Sequence, residues 1–155
     1  MSQKSCEAVN KVLDELNYTP NLLARSLASK KLYKFLYIIP QHQTNDYWEI
    51  VENGFNQAAV DFLHYNIIIE KLYFNQFDVK SFIDVAQETI KISPDAVFLA
   101  PIFKNESLSF SKQLNELNIP LSFIDSMIPE AEFSTYYGQD SFQSGYIAAK
   151  MLLGA

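Results

Sequence analysis

Apolar and polar positions alternate between two rhythms along the chain, and the change comes near residue 33. Before it, Val9, Val12, Leu13 and Leu16 recur at helical spacing, so the pattern predicts a helix over residues 5–17 with Ser5 as N-cap. Asn17 to Pro20 ends that helix. Pro20 suits the first turn of a second, short helix to Ser29, in which Leu22, Leu23, Ser26 and Leu27 fall at three- and four-residue intervals. Two turns seldom hold in isolation, because few hydrogen bonds offset the cost of nucleation.

After residue 33, short apolar runs alternate with amphipathic stretches. Strands are expected over residues 34–40, 66–74, 95–102, 120–125 and 133–138, the last being the weakest. Between them, Asp46 and Glu49 form a capping-box pattern ahead of Trp48, Val51, Phe55, Ala58 and Phe62. Asp78 precedes the stripe Val79, Phe82, Ala86 and Ile90, Asn105 leads into Phe110, Leu114 and Leu117, and Ser141 is set to cap a helix running to Leu153. Strands apolar on both faces and separated by single helices predict an α/β fold. The expected form is a doubly wound parallel sheet of order 2-1-3-4-5, with right-handed crossovers and a short helical arm in front of it.

Composition narrows the function classes. In 155 residues, 48% hydrophobic and 14% aromatic content supports a packed core, and no apolar run approaches the roughly 20 residues of a membrane span. MSQKSCEAVNK lacks the apolar region of an export signal, so a cytoplasmic location is expected. Cys6, His42 and His64 are too scattered for a metal set, and no metal or cofactor is expected. The net charge of −6 conceals an asymmetry: residues 1–34 hold six basic groups against three acidic ones, a net +3, leaving −9 for the remainder. Any polyanion would therefore meet the arm and be repelled by the body.

In an open parallel sheet, ligands bind beyond the carboxyl ends of the strands. Those ends carry amides, carboxylates and aromatics, which suits the hydroxyls and C–H faces of a sugar-like molecule. Tyr47, Trp48, Asp125, Gln139 and Asp140 are the candidate ligand residues. Each also has a structural role open to it. Trp48 reads equally as the start of its helix's core stripe, Asp125 as a loop anchor and Asp140 as a helix cap. PQHQTND after the first strand lacks the glycines of a dinucleotide loop, and no GxSxG elbow occurs, so no catalytic residues are expected.

The segment VNKVLDELNYTPNLLARSLASKK, residues 9–31, resembles the LacI family of bacterial transcription regulators. Glu15, Leu16, Tyr18, Pro20, Asn21, Ala24, Arg25 and Leu27 match the family pattern ELxYxPNxxARxL. IPLSFID and GQDSFQSGYIAAKMLLG extend the likeness through nearly the whole chain. The resemblance implies a remnant of a helix-turn-helix headpiece with a hinge helix over residues 1–30. Residues 31–155 would then be the N-terminal lobe of a ligand-sensing domain like the type I periplasmic binding proteins, with the crossover toward a second lobe. It further implies a homodimer whose paired hinge helices enter the minor groove of operator DNA, and a sugar-like effector. By position, Leu27 would be the wedge between base steps, with Asn21, Leu23, Ala24 and Ala28 beside it on the groove-facing side, while Arg25 would contact DNA through its phosphates. The rival reading is a solute-binding lobe of a sugar transport system, against which the basic arm and the lack of an export signal stand.

Overall fold

The computed structural model describes residues 31–154. The two helices expected over residues 5–29, and with them all six candidate DNA-binding residues, lie outside that range.

Among the described residues, strands and helices alternate except that β5 follows β4 directly: β1 (Tyr33–Pro40), α1 (Tyr47–Asp61), β2 (Ile67–Phe74), α2 (Val79–Ile92), β3 (Ala96–Leu99), α3 (Lys104–Glu116), β4 (Leu121–Asp125), β5 (Thr135–Gly138) and α4 (Ser141–Leu153). A 3-10 turn, Leu63–Tyr65, links α1 to β2. All pairings are parallel and the spatial order is β2-β1-β3-β4-β5, as the alternation predicts. The third strand is four residues long, shorter than its apolar run suggests. Ala100 and Pro101 stay buried beyond its end, so burial persists where the ladder has stopped.

Side chains leave β1 alternately for two cores. Tyr37 and Ile39 join Trp48, Ala100 and Ile124 beneath α1, and Phe55 of α1 stacks on Tyr37 at 4.3 Å between ring centroids. Ile38 enters the larger core on the other face, where Phe74, Phe82, Phe110, Leu114 and Phe123 pack between the sheet and helices α2 and α3. Thr89 and Ser111, buried among these apolar groups, donate to the Val85 and Leu108 carbonyls within their own helices. No residue of α4 is buried, and Phe142, Tyr146, Ile147, Met151, Leu152 and Leu153 are exposed. Among the described residues, no helix is long and apolar enough to cross a membrane.

Helix starts match the expected cap at α2 and differ from it in detail at α1, α3 and α4. Asp78 caps α2 as expected, accepting from the Lys80 N–H at 2.9 Å. At α1 the box is displaced: Asp46 accepts from Gln43 N, while Glu49 reaches Asn45 N rather than Asp46 N. Asn45 has φ 71, a left-handed conformation that turns its N–H toward the Glu49 side chain. Helix α3 begins at Lys104, one residue ahead of Asn105, with Phe103 as an N-cap that makes no side-chain bond. For α4, Asp140 and not Ser141 is the cap, accepting from Gln143 N at 2.9 Å. Carboxylates accept backbone N–H bonds more strongly than hydroxyls do, so the acid takes the position when both are adjacent.

The aromatic packing of the larger core sets a stability expectation. Phe82→Ala removes a ring that touches Phe74, Phe103 and Phe110, and should lower unfolding free energy by about 3–5 kcal/mol. Phe77→Ala, at a side chain 87% exposed, should change it by less than about 0.5 kcal/mol. Urea unfolding of both variants checks this; equal midpoints would show that the face under α2 and α3 is not the main core.

Candidate ligand-binding site

Because every strand runs the same way, the ends of β1, β2, β3, β4 and β5 meet at one edge. There, a cleft of about 360 Å³ opens between α1 and the β4–β5 pair, lined by Tyr47, Val51, Ile124, Asp125, Tyr137, Gly138 and Gln139. Three of the five candidate ligand residues, Tyr47, Asp125 and Gln139, thus come together from three segments.

The β4–β5 end is shaped by close backbone approach. Asp125 and Gly138 are register partners, and Asp125 has φ 67 while Ser126 N–H donates back to the Ile124 carbonyl at 2.8 Å. Aspartate is among the residues that tolerate this left-handed region, and the turn sends its carboxylate out of the ladder. Tyr136 Oη lies 3.0 Å from the Asp125 carbonyl and 2.9 Å from that of Gln139, so one hydroxyl proton serves both sides of the turn. A Cβ on Gly138 would sit 2.3 Å from that hydroxyl and 2.5 Å from the Asp125 carbonyl. Only glycine fits.

Across the cleft, Tyr47 Oη donates to Asp125 Oδ1 at 2.8 Å. That bond, with partial burial, holds the Tyr47 phenol above its ordinary value, so it remains a donor at neutral pH. Tyr47 is 55% exposed, and its ring face and the adjacent Tyr137 offer flat apolar surface beside a carboxylate and an amide. Trp48 points elsewhere. It is 9% exposed within the core under α1 and meets Tyr47 edge-on at 5.0 Å, so it supports that ring from behind. Asp140 lies just past the cleft, its carboxylate engaged in capping α4.

A second polar group, absent from the sequence expectations, occupies the other flank of α1. Gln41, His42, Glu52 and Tyr73 line a recess of about 280 Å³. Glu52 is its hub: Oε1 accepts from Tyr73 Oη at 2.7 Å and pairs with Lys71, while Oε2 lies 2.9 Å from His42 Nε2. His42 Nδ1 lies 3.1 Å from the Pro40 carbonyl. Burial alone would raise the Glu52 carboxyl, but bonds from Lys71 and Tyr73 and the nearby His42 overcome it and hold the group below its ordinary value. Burial likewise pushes the Tyr37 phenol up, reinforced by the Glu52 charge. No spacing in the sequence signals this cluster, since it forms only once β1 and β2 are in register and α1 lies over them. Among the described residues, no three His, Cys, Asp or Glu side chains are grouped to hold a metal ion.

The family model described as the periplasmic binding protein domain matches residues 36–155. Catabolite control protein A of Staphylococcus aureus is 40% identical over 60 residues, covering 39% of this chain and 18% of that protein. A crystal structure from Bacteroides fragilis assigned to the LacI transcriptional regulators superposes with a TM-score of 0.75 at 36% identity, over 79% of this chain and 43% of the other. GanP, a glucose-galactose binding protein of Geobacillus stearothermophilus, shares the fold with a TM-score of 0.68 at 24% identity, over 79% and 42%. The chain therefore spans less than half the length of each of these relatives.

Two outcomes follow from the geometry. Gly138→Ala should destabilise the protein by about 1–3 kcal/mol, because the Asp125 carbonyl, which is backbone, and the Tyr136 ring, tied by its hydroxyl to two carbonyls, both stand in the way. Glu52→Gln should cost about 1–3 kcal/mol at pH 7 and flatten the acid limb of stability. With its folded value depressed, Glu52 contributes fully above the ordinary 4.5, and that contribution disappears as pH falls through the lower folded value. Urea midpoints at pH 7, 4 and 3 read both; a Glu52→Gln variant parallel to the parent protein at all three pH values would remove the hub role.

Proposed function

The chain belongs to the periplasmic binding protein domain family, and from that premise we propose that it serves as the effector-sensing lobe and DNA-contacting arm of a LacI-type transcription regulator. One observation carries this choice over a transport role: the pattern from Glu15 to Leu27 stands directly before a lobe of this family. The identities of 40% over 60 residues with a catabolite control protein and 36% with a structure assigned to the LacI regulators support it. In this reading the protein acts in the cytoplasm as a homodimer. Leu27 enters the minor groove as a wedge with Asn21, Leu23, Ala24 and Ala28 around it, while Arg25 meets phosphates.

The effector is sugar-like. Asp125 accepts a hydroxyl, the Gln139 side chain supplies both a donor and an acceptor, and Tyr47 and Tyr137 give surfaces for C–H faces. Asp140 reaches the ligand only if it leaves its cap, and Trp48 acts by fixing Tyr47. A cleft that covers one side of a ligand leaves the rest wet, so tight binding requires a second wall. The second reading, a solute-binding lobe of a sugar transport system, draws on the shared fold with the glucose-galactose binding protein.

The deciding experiment tags the protein at its own gene and recovers crosslinked DNA from the host. Discrete enriched sites are expected, with Leu27→Ala reducing the ratio of specific to random-DNA affinity about tenfold in subsequent titrations. Arg25→Ala should instead weaken both and reduce the salt dependence. Adding the cognate sugar should shift operator affinity, and Asp125→Asn should blunt that shift. Absence of enriched DNA, or an unchanged affinity ratio in Leu27→Ala, would overturn the regulator reading; recovery of the protein outside the cytoplasm would favour the transport one.

A further inference from the structure

Of the six basic residues in positions 1–34, Lys31 and Lys34 fall within the described residues, and each faces a carboxylate of the lobe. Lys31 Nζ lies 2.6 Å from Asp95 Oδ1, and Lys34 Nζ lies 3.1 Å from Glu70 Oε1. Asp95 is also tied to the backbone of β1. Asp95 Oδ2 accepts the Lys34 N–H at 2.9 Å, and Asp95 N–H donates to the Lys34 carbonyl at 2.8 Å, closing a ring at the entry to β3. Glu70 stands in β2 two residues past Ile68, the register partner of Lys34, and so on the same face of the sheet. The Lys31 ammonium and the Lys34 N–H hold the Asp95 carboxyl below its ordinary value, keeping it charged throughout the neutral range.

We propose that Asp95 and Glu70 are charge masks that end the DNA-facing surface of this chain at the arm, by occupying the two lysines where the arm enters the sheet. The inference rests on the regulator reading above. A lysine that meets a phosphate releases a condensed counterion, steepening the dependence of log affinity on log salt by about 0.9. A lysine already paired with a carboxylate contributes less of that release, because displacing the carboxylate would leave a negative group beside the phosphate. The masks therefore suppress sequence-tolerant binding at the lobe. DNA contact is then left to the residues that precede Lys31. Exposed ion pairs add little to folding, and an asparagine at position 95 keeps an oxygen for the Lys34 N–H, so the charges can be removed without unfolding the protein.

The test is a salt series with a random-sequence duplex, using protein expressed from its own gene and checked for an unchanged urea midpoint. The double variant Asp95→Asn, Glu70→Gln should bind several-fold tighter at low salt, with a slope steeper by between about 1 and 2. Lys31→Gln with Lys34→Gln should leave the parent slope unchanged yet abolish the gain when added to the double acid variant, a coupling that a cycle isolates. Glu88→Gln, an exposed acid on α2, controls for loss of negative charge alone and should leave the slope as in the parent. An unchanged slope in the double acid variant, or a gain that survives loss of both lysines, overturns the masks while the regulator reading stands. A parent protein that binds neither random nor host operator DNA overturns both.

Discussion

From Leu36 to Pro40 the strand β1 is removed from water on both faces, and that demand for cover on two sides organises the rest of the molecule. A buried strand must satisfy its backbone groups laterally and its side chains vertically. The first need is met by parallel neighbours β2 and β3, and the second by α1 on one face with α2 and α3 on the other. Parallel pairing then has an unavoidable geometric result. Each strand points its carboxyl end at the same edge, so residues from five segments far apart in sequence arrive within one small region.

Helix α1 divides that region in two. Tyr47 and Val51 turn toward Asp125 and the β4–β5 end, Trp48 enters the core, and Glu52 turns toward His42, Tyr73 and Lys71. These positions are separated by one, three and four residues, so fewer than two helical turns present three surfaces. A change of register or roll in α1 would alter both flanks together. The hydrogen bond from Tyr47 and the ion pairs of Glu52 hold the two flanks of the helix against opposite sides of the sheet edge.

Much of the fold could be read from the chain before any coordinates, because strand-like segments of six to nine residues between capped amphipathic stretches leave few alternatives. Strand order followed from right-handed crossovers, and Asp78 behaved as its position suggests. Caps at α1, α3 and α4 were less legible, since neighbouring acids, amides and hydroxyls compete for the same N–H groups and geometry settles the contest. In the site, Tyr47, Asp125 and Gln139 were visible as polar or aromatic groups at strand ends. Trp48 could be read two ways, and only packing assigns it to the core. Tyr137 escaped notice because the weak alternation of β5 does not say which of Tyr136 and Tyr137 turns toward the ladder. The Glu52 cluster was invisible for a deeper reason: its members share no local pattern and meet only through β1–β2 register.

The central place of β1 also bears on how the lobe is made. Phe35 pairs with Ile69 on one side and with Ala96 on the other, so the second neighbour lies 61 residues later in the chain. During synthesis β1 emerges before either partner and must wait for β3 to leave the ribosome before both its edges are closed. Contacts of such long sequence separation make assembly slow and leave apolar strands open to wrong pairing. KFLYII is the kind of segment that pairs with copies of itself, and Lys34 at its start supplies the charge that discourages this. The strand that gives the finished lobe its order is thus, for the length of α1, β2, α2 and β3, the part of the nascent chain most in need of protection.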